Sequence, residues 1–183
     1  GNAICNVLWG EYNPSAKLPM TFPAHVGQIP IYYQNKSTGR PTALKQTYKA
    51  SYIDASTEPA YPFGYGLSYT DFGYSDLKLL PGKAAGVHTE VSVKVTNTGK
   101  CAGEEVVQLY VQDKVASVTR PIKGFRKIHL NVGESKTVAF QITDDALGFY
   151  DNEMNYMVEP GDFVFMVGGS SDDVQQITYN LKE

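Results

Sequence analysis

From Tyr74 to the end, apolar and polar residues alternate with a period of two, broken by turn signals at short intervals. Tyr74-Ser75-Asp76-Leu77-Lys78-Leu79-Leu80 predicts a strand that stops at Pro81-Gly82. Val91, Val93 and Val95 alternate with Glu90, Ser92, Lys94 and Thr96, and this run ends at the turn Asn97-Thr98-Gly99. Val107, Leu109 and Val111 predict a third strand, and Val138, Phe140 and Ile142 a fourth behind the turn Asn131-Val132-Gly133-Glu134. Phe163, Phe165 and Val167 follow Glu159-Pro160-Gly161-Asp162, and Ile177, Tyr179 and Leu181 close the chain. Every second side chain of a strand points to the same face, so each of these runs has one apolar face to bury. At least six such strands predict a two-sheet, immunoglobulin-like sandwich over residues 72–183. Asp144 to Tyr150 fits a helical turn or a short strand equally well.

The first 70 residues have a different texture. Ala3, Ile4, Val7 and Leu8 stand at helical spacing with Gly10 as a stop. Two turns of helix are marginal in water, so this segment is expected to end something longer or to pack on a neighbour. Asn13-Pro14-Ser15 is a turn signal, and Lys17 to Pro23 predicts a short extended piece bounded by prolines and placed at an edge. Helix, turn and strand over residues 1–27 read as the last unit of an α/β domain. From Gln28 to about Pro59 there is no sustained period of 2 or 3.6, and Gly39-Arg40-Pro41 reads as a turn. Nine of the 13 tyrosines lie at or before Tyr74, which marks this half as chain pinned by aromatics rather than flexible linker. The stretch Tyr61-Pro62-Phe63-Gly64-Tyr65-Gly66-Leu67-Ser68-Tyr69-Thr70 predicts a fixed, well-packed bend. Its glycines let the backbone approach a neighbour closely while the rings anchor it.

Composition narrows the function classes. A 183-residue chain with 42% hydrophobic and 19% charged residues and a net charge of −3 is typical of a soluble globular protein and has no basic footprint for nucleic acid. No apolar run approaches the roughly 18 residues of a membrane-spanning helix. No secretory leader is visible, and a start on Gly1-Asn2 inside a helical pattern suggests an excised or processed piece. Cys5 and Cys101 make neither a disulfide framework nor a metal site and are expected to be free.

Candidate chemistry is sparse. Glycosidic hydrolysis needs two carboxyl groups about 5–10 Å apart, and three adjacent acid pairs occur: Glu104/Glu105, Asp144/Asp145 and Asp172/Asp173. All three flank turns, and strand neighbours point to opposite faces, so they are expected to be solvated turn residues. Asp151, Glu153 and Asn155 have the spacing of a calcium loop. Tyr156 and Asp162 stand where that loop wants Gly and Glu, and a hairpin explains the same residues. His25, His88 and His129 are scattered, without metal-ligand spacing. Asn35-Lys36-Ser37 is a formal glycosylation sequon. No nucleophile elbow or phosphate loop occurs. The tyrosines of residues 32–74 could stack on sugar rings, but packing anchors are the commoner role of such aromatics and the favoured reading.

Several motifs nevertheless follow one another in a fixed order. Val7-Leu8-Trp9-Gly10 and Asn13-Pro14-Ser15 precede Lys17-Leu18-Pro19 and Thr21-Phe22-Pro23. Gly27-Gln28-Ile29-Pro30, Tyr32-Tyr33, Thr38-Gly39-Arg40-Pro41 and the Tyr61–Thr70 stretch come next. Asn97-Thr98-Gly99, the run from Glu105 to Val111, Thr119-Arg120-Pro121, Lys123-Gly124-Phe125 and Val158-Glu159-Pro160-Gly161 complete the series. Together they resemble the C-terminal part of glycoside hydrolase family 3 enzymes of the periplasmic β-glucosidase kind, over essentially the whole chain.

The resemblance implies a parent built from a TIM-type barrel, an α/β sandwich domain and a fibronectin type III-like domain. Residues 1–27 would end the α/β domain, 28–71 would be the interdomain linker, and 72–183 the fibronectin-like sandwich. It also implies a retaining β-glucosidase mechanism, with an Asp nucleophile and an acid/base carboxyl that both lie upstream of Gly1. The nucleophile motif of the family reads Ser-Asp-Trp. Ser75-Asp76 and Ser171-Asp172 match it neither in sequence nor in place, so no catalytic, cofactor-binding or metal residue is assigned to this chain. The implied partners are the upstream catalytic domains of the same polypeptide, with β-linked oligosaccharide substrate met only through them. The implied location is periplasmic or secreted. Thr119-Arg120-Pro121-Ile122 runs straight into Lys123-Gly124-Phe125, shorter than in the family. The alternatives are a free-standing sandwich that binds carbohydrate or protein, and a structural module of a repeat-bearing surface protein. The α/β-like N-terminus argues against the second.

Overall fold

Alternating Val, Leu, Ile and Phe build a sandwich because each strand must bury one face and two sheets can bury theirs against each other. The structure is a computed structural model that describes residues 1–34, 52, 54–114 and 120–182. One sheet has the order β1-β2-β5, formed by β1 (Phe72–Pro81), β2 (Val87–Asn97) and β5 (Ser135–Thr143). The other has the order β4-β3-β8-β9, formed by β3 (Gly103–Asp113), β4 (Ile122–Leu130), β8 (Gly161–Gly168) and β9 (Val174–Leu181). All the pairings are antiparallel. Between the sheets, Val91, Val93, Val95, Val138, Phe140 and Ile142 face Val107, Leu109, Val111, Phe163, Phe165 and Val167 in one buried cluster.

All six strands expected from alternation are present, together with β4, which alternation did not reveal. In β4 the core-facing positions are Gly124, Arg126, Ile128 and Leu130, and the pairing with β3 slips between Leu109 and Tyr110. A glycine, an arginine and a bulge therefore hide the period. Gly124 lies against Phe140, where a Cβ would come within 3.1 Å of the ring. The ambiguous segment from Asp144 to Tyr150 contains both candidates: helical turn α2 (Asp144–Leu147) runs into β6 (Phe149–Tyr150), which pairs with β7 (Tyr156–Met157) as a hairpin.

The N-terminal segment begins with α1 (Asn2–Leu8), which ends at Gly10 with φ +77°. The helix buries none of its residues, so the expected neighbour is not found among the described residues. The extended piece expected from Lys17 to Pro23 pairs instead with the bend. Leu18 N donates to Tyr65 O at 2.8 Å, Gly64 N to Leu18 O at 2.9 Å, and Phe22 N to Tyr61 O at 2.9 Å. Buried Gln28 secures the same strap further along, its Nε2 donating to Ser56 O and Glu58 O while its Oε1 accepts from Ala24 N. Asn35-Lys36-Ser37, Thr38-Gly39-Arg40-Pro41, Tyr48 and Thr119 lie outside the described residues.

Candidate functional site

The bend Tyr61–Thr70 lies on the outer face of the four-stranded sheet, and the chemistry of that contact begins with Gly64. Gly64 has φ +78°, and any Cβ there would overlap the side-chain amide of Gln108. Gln108, fully buried on β3, donates from Nε2 to Gly169 O at 2.6 Å and Gly64 O at 3.3 Å, and its Oε1 accepts from the Tyr110 hydroxyl at 2.5 Å. Ser171 N donates to Phe63 O at 2.9 Å. Around this knot Tyr33 stacks on Phe63 at 4.2 Å, and both rings meet Tyr110 edge-on at 6.0 and 6.5 Å. Burial pushes the Tyr110 phenol above its ordinary value, so it remains a neutral donor to Gln108.

A second tie is ionic. Lys17 Nζ reaches the two carboxylate oxygens of Glu105 at 3.1 and 3.3 Å, and the Tyr74 hydroxyl donates to the same carboxylate at 2.8 Å. Glu105 is only 4% exposed, which corrects the expectation that it is a solvated turn residue. It sits inside β3, and its charge is balanced by a lysine from the strap. Burial first, and then the adjacent Glu105 carboxylate, push the Tyr74 phenol far above its usual range.

A third tie lies at the rim. Ser15 Oγ donates to Glu104 Oε2 at 3.0 Å, and Lys127 Nζ of β4 reaches the same oxygen at 2.7 Å. The hydrogen bonds from Lys127 and Ser15 hold the Glu104 carboxyl below its ordinary value, and Glu104 in turn raises Lys127. Asn13 accepts from Ser68 Oγ and Tyr69 N at 2.9 and 2.8 Å and donates to Ala102 O at 3.0 Å. A turn residue of the strap thus joins the bend to the sandwich.

The remaining candidates do not converge. His88 Nε2 meets Asp144 Oδ1 at 2.6 Å, Arg120 pairs with Asp172 at 3.2 Å, and His25 packs edge-on against Tyr52 at 5.2 Å. Asp151 Oδ1 accepts from Glu153 N and Asn155 N at 2.8 and 2.9 Å, closing the β6–β7 turn, so the hairpin accounts for that spacing. Among the described residues no three His, Cys, Asp or Glu side chains are grouped to hold a metal ion. Cys5 and Cys101 are free.

Among the described residues, a two-sheet sandwich carries an N-terminal strap sealed onto the outer face of its four-stranded sheet. The glycosyl hydrolase family 3 C-terminal domain matches residues 1–69, and the fibronectin type III-like domain matches residues 105–171. The chain belongs to glycoside hydrolase family 3, as its C-terminal part. It is 49% identical over 187 residues to a periplasmic beta-glucosidase of Salmonella typhimurium, covering 99% of this chain and 24% of that protein. It is 44% identical to a beta-xylosidase of Formosa agariphila, covering 100% of this chain and 25% of that protein. The crystal structure of a beta-glucosidase from Listeria innocua in complex with glucose superposes over 100% of this chain and 26% of its own, with a TM-score of 0.90 and 40% identity. The chain spans about a quarter of the length of the curated relatives it matches.

Proposed function

We propose that this chain is the C-terminal supporting portion of a retaining β-glucosidase, and that the nucleophile and acid/base carboxyls lie in upstream domains of the same polypeptide. The observation that carries this reading is the concentration of exposed apolar side chains on α1 and the strap. Ile4, Leu8, Trp9, Met20, Phe22, Val26, Ile29, Leu67 and Tyr69 are all exposed, with Trp9 at 77%. Water does not favour so much bare apolar surface in one region, and such patches mark interaction sites. The names of the relatives favour a β-linked glucosyl substrate and a periplasmic or secreted location, and among the described residues no helix is long and apolar enough to cross a membrane. In this reading residues 1–27 complete an α/β domain, residues 28–71 cross to the sandwich, and residues 72–183 buttress the whole. No catalytic, cofactor or metal residue is assigned within it.

The test is Trp9→Asp in the full-length parent. Trp9 makes little contact within this chain, so a charge there leaves the strap and sandwich intact. The parent is expected to lose thermal stability and to lose kcat/KM on an aryl β-glucoside. A parent with unchanged Tm and unchanged kcat/KM would contradict the docking role.

A further inference from the structure

Residues 13–17 run beside the start of β3, and every second side chain meets it. Asn13 Nδ2 donates to Ala102 O at 3.0 Å, Ser15 Oγ donates to Glu104 Oε2 at 3.0 Å, and Lys17 Nζ reaches both oxygens of Glu105 at 3.1 and 3.3 Å. The three contacts differ in what their loss leaves behind. Ala102 is exposed, so water can take the place of Asn13. Glu104 is partly exposed and keeps Lys127 as a second partner. Glu105 is buried, and among the described residues Lys17 is its only cation. Gly66 leaves room for the lysine stem, since a Cβ there would come within 2.8 Å of Lys17 Cδ.

The rest of the strap's hold on the bend does not distinguish this register from one shifted by two residues. Its backbone donors are Leu18 N and Phe22 N. A slip of one residue reverses every side chain, and in one direction it also puts Pro19 and Pro23, which have no N–H, at the donor positions. A slip of two puts Met20 and Ala24, or Ala16 and Met20, at those positions, and all of them carry an N–H. Such a slip keeps each side chain on its face, and Ala16, Met20 and Phe22 are exposed, so burial does not record their place. Buried Gln28 anchors the chain beyond Pro23 rather than the run from Asn13 to Phe22. At Glu105 the slip matters: Ser15 or Pro19 would stand where Lys17 does, and a buried carboxylate would lose its cation. We infer that the Lys17–Glu105 pair selects the register of the strap on β3, and that net stability is not what it supplies. Taking both charges out of water offsets most of their attraction, whereas stranding one of them is strongly unfavourable, so the pair acts against the wrong registers. The register role belongs to this chain alone; its consequence for catalysis rests on the supporting role proposed above.

The test is the double variant Lys17→Met/Glu105→Gln in the full-length parent, which removes both charges and keeps an acceptor for the Tyr74 hydroxyl. Amide hydrogen exchange is read by mass spectrometry on the peptides that carry Leu18 and Gly64, whose N–H groups join strap and bend. The peptide that carries Val93, fully buried in β2, is the sandwich reference. The thermal midpoint is expected to match or exceed that of the unaltered parent, while Leu18 and Gly64 exchange several-fold faster and Val93 does not change. A lower midpoint, or faster exchange at Val93, would make the pair a stabiliser of the fold and overturn the inference. Unchanged exchange at Leu18 and Gly64 would leave the register to Asn13, Ser15 and Gln28 and overturn it equally. The charge-swapped parent, Lys17→Glu/Glu105→Lys, is expected to exchange at Leu18 and Gly64 nearly as slowly as the unaltered one. A swap as fast as the neutral double variant would count against selection by charge. On an aryl β-glucoside the neutral double variant is expected to lose kcat several-fold with KM little changed. Faster exchange with unchanged kcat supports the register role and overturns the supporting role instead.

Discussion

Glu105 shows how much a single buried charge decides here. Lys17 and Tyr74 satisfy it, and removing one partner of a buried pair costs about 3–5 kcal/mol because the other charge is left uncompensated. Glu105→Ala is therefore expected to lower unfolding stability in urea by about that much. Adding Lys17→Met should recover part of the loss, and strictly additive effects would contradict the pairing. Gly64→Val combines a positive φ, which costs an L-residue about 1–2 kcal/mol, with overlap on Gln108. A circular dichroism melt should show a clearly lowered Tm, and an unchanged one would mean that the bend does not sit on Gln108. The Ser15–Glu104–Lys127 tie has a pH signature. The depressed Glu104 carboxyl contributes stability that is present above its unfolded value and is lost as the pH falls through its lower folded value. Glu104→Gln should flatten that acid limb slightly, as expected of a pair at the rim. An acid limb identical in the variant would show that the tie contributes nothing.

At the level of elements, Asn97 at the end of β2 binds three pieces of chain together. Its Nδ2 donates to Leu130 O of β4 at 3.1 Å and to Cys101 O at 2.8 Å, and its Oδ1 accepts from Thr70 Oγ1 at 2.6 Å and Gly99 N at 3.1 Å. Each buried polar group left without a partner costs about 1–3 kcal/mol, so Asn97→Ala is expected to destabilise by about 3 kcal/mol in denaturant titration. A loss below about 1 kcal/mol would mean that water replaces these bonds. The alternation of Val91, Val93 and Val95 made β2 legible because both its neighbours and the facing sheet demand apolar side chains there. β4 was illegible because Gly124 serves the core by being small and Arg126 reaches out past the edge. Asn97-Thr98-Gly99 was legible as a turn, whereas its role as a junction depends on Thr70, 27 positions away.

For the molecule as a whole, the strap and the sandwich are joined by hydrogen bonds, an ion pair and an aromatic cluster that all cross from residues 13–70 to residues 72–182. The bend was legible as a packed turn from its glycines and rings. Its partners were not, because Lys17 and Glu105 stand 88 positions apart and nothing local in Glu104-Glu105 separates a rim charge from a buried one. The family resemblance was legible in the order of the motifs, which is a property of the whole chain and of no single segment. The central claim is that this chain supports catalysis without performing it, and the most direct test is turnover of an aryl β-glucoside by the 183-residue chain and by the full-length parent, side by side. Turnover by the parent and none by the chain is the expected result. Turnover by the chain at the rate of the parent would contradict the account.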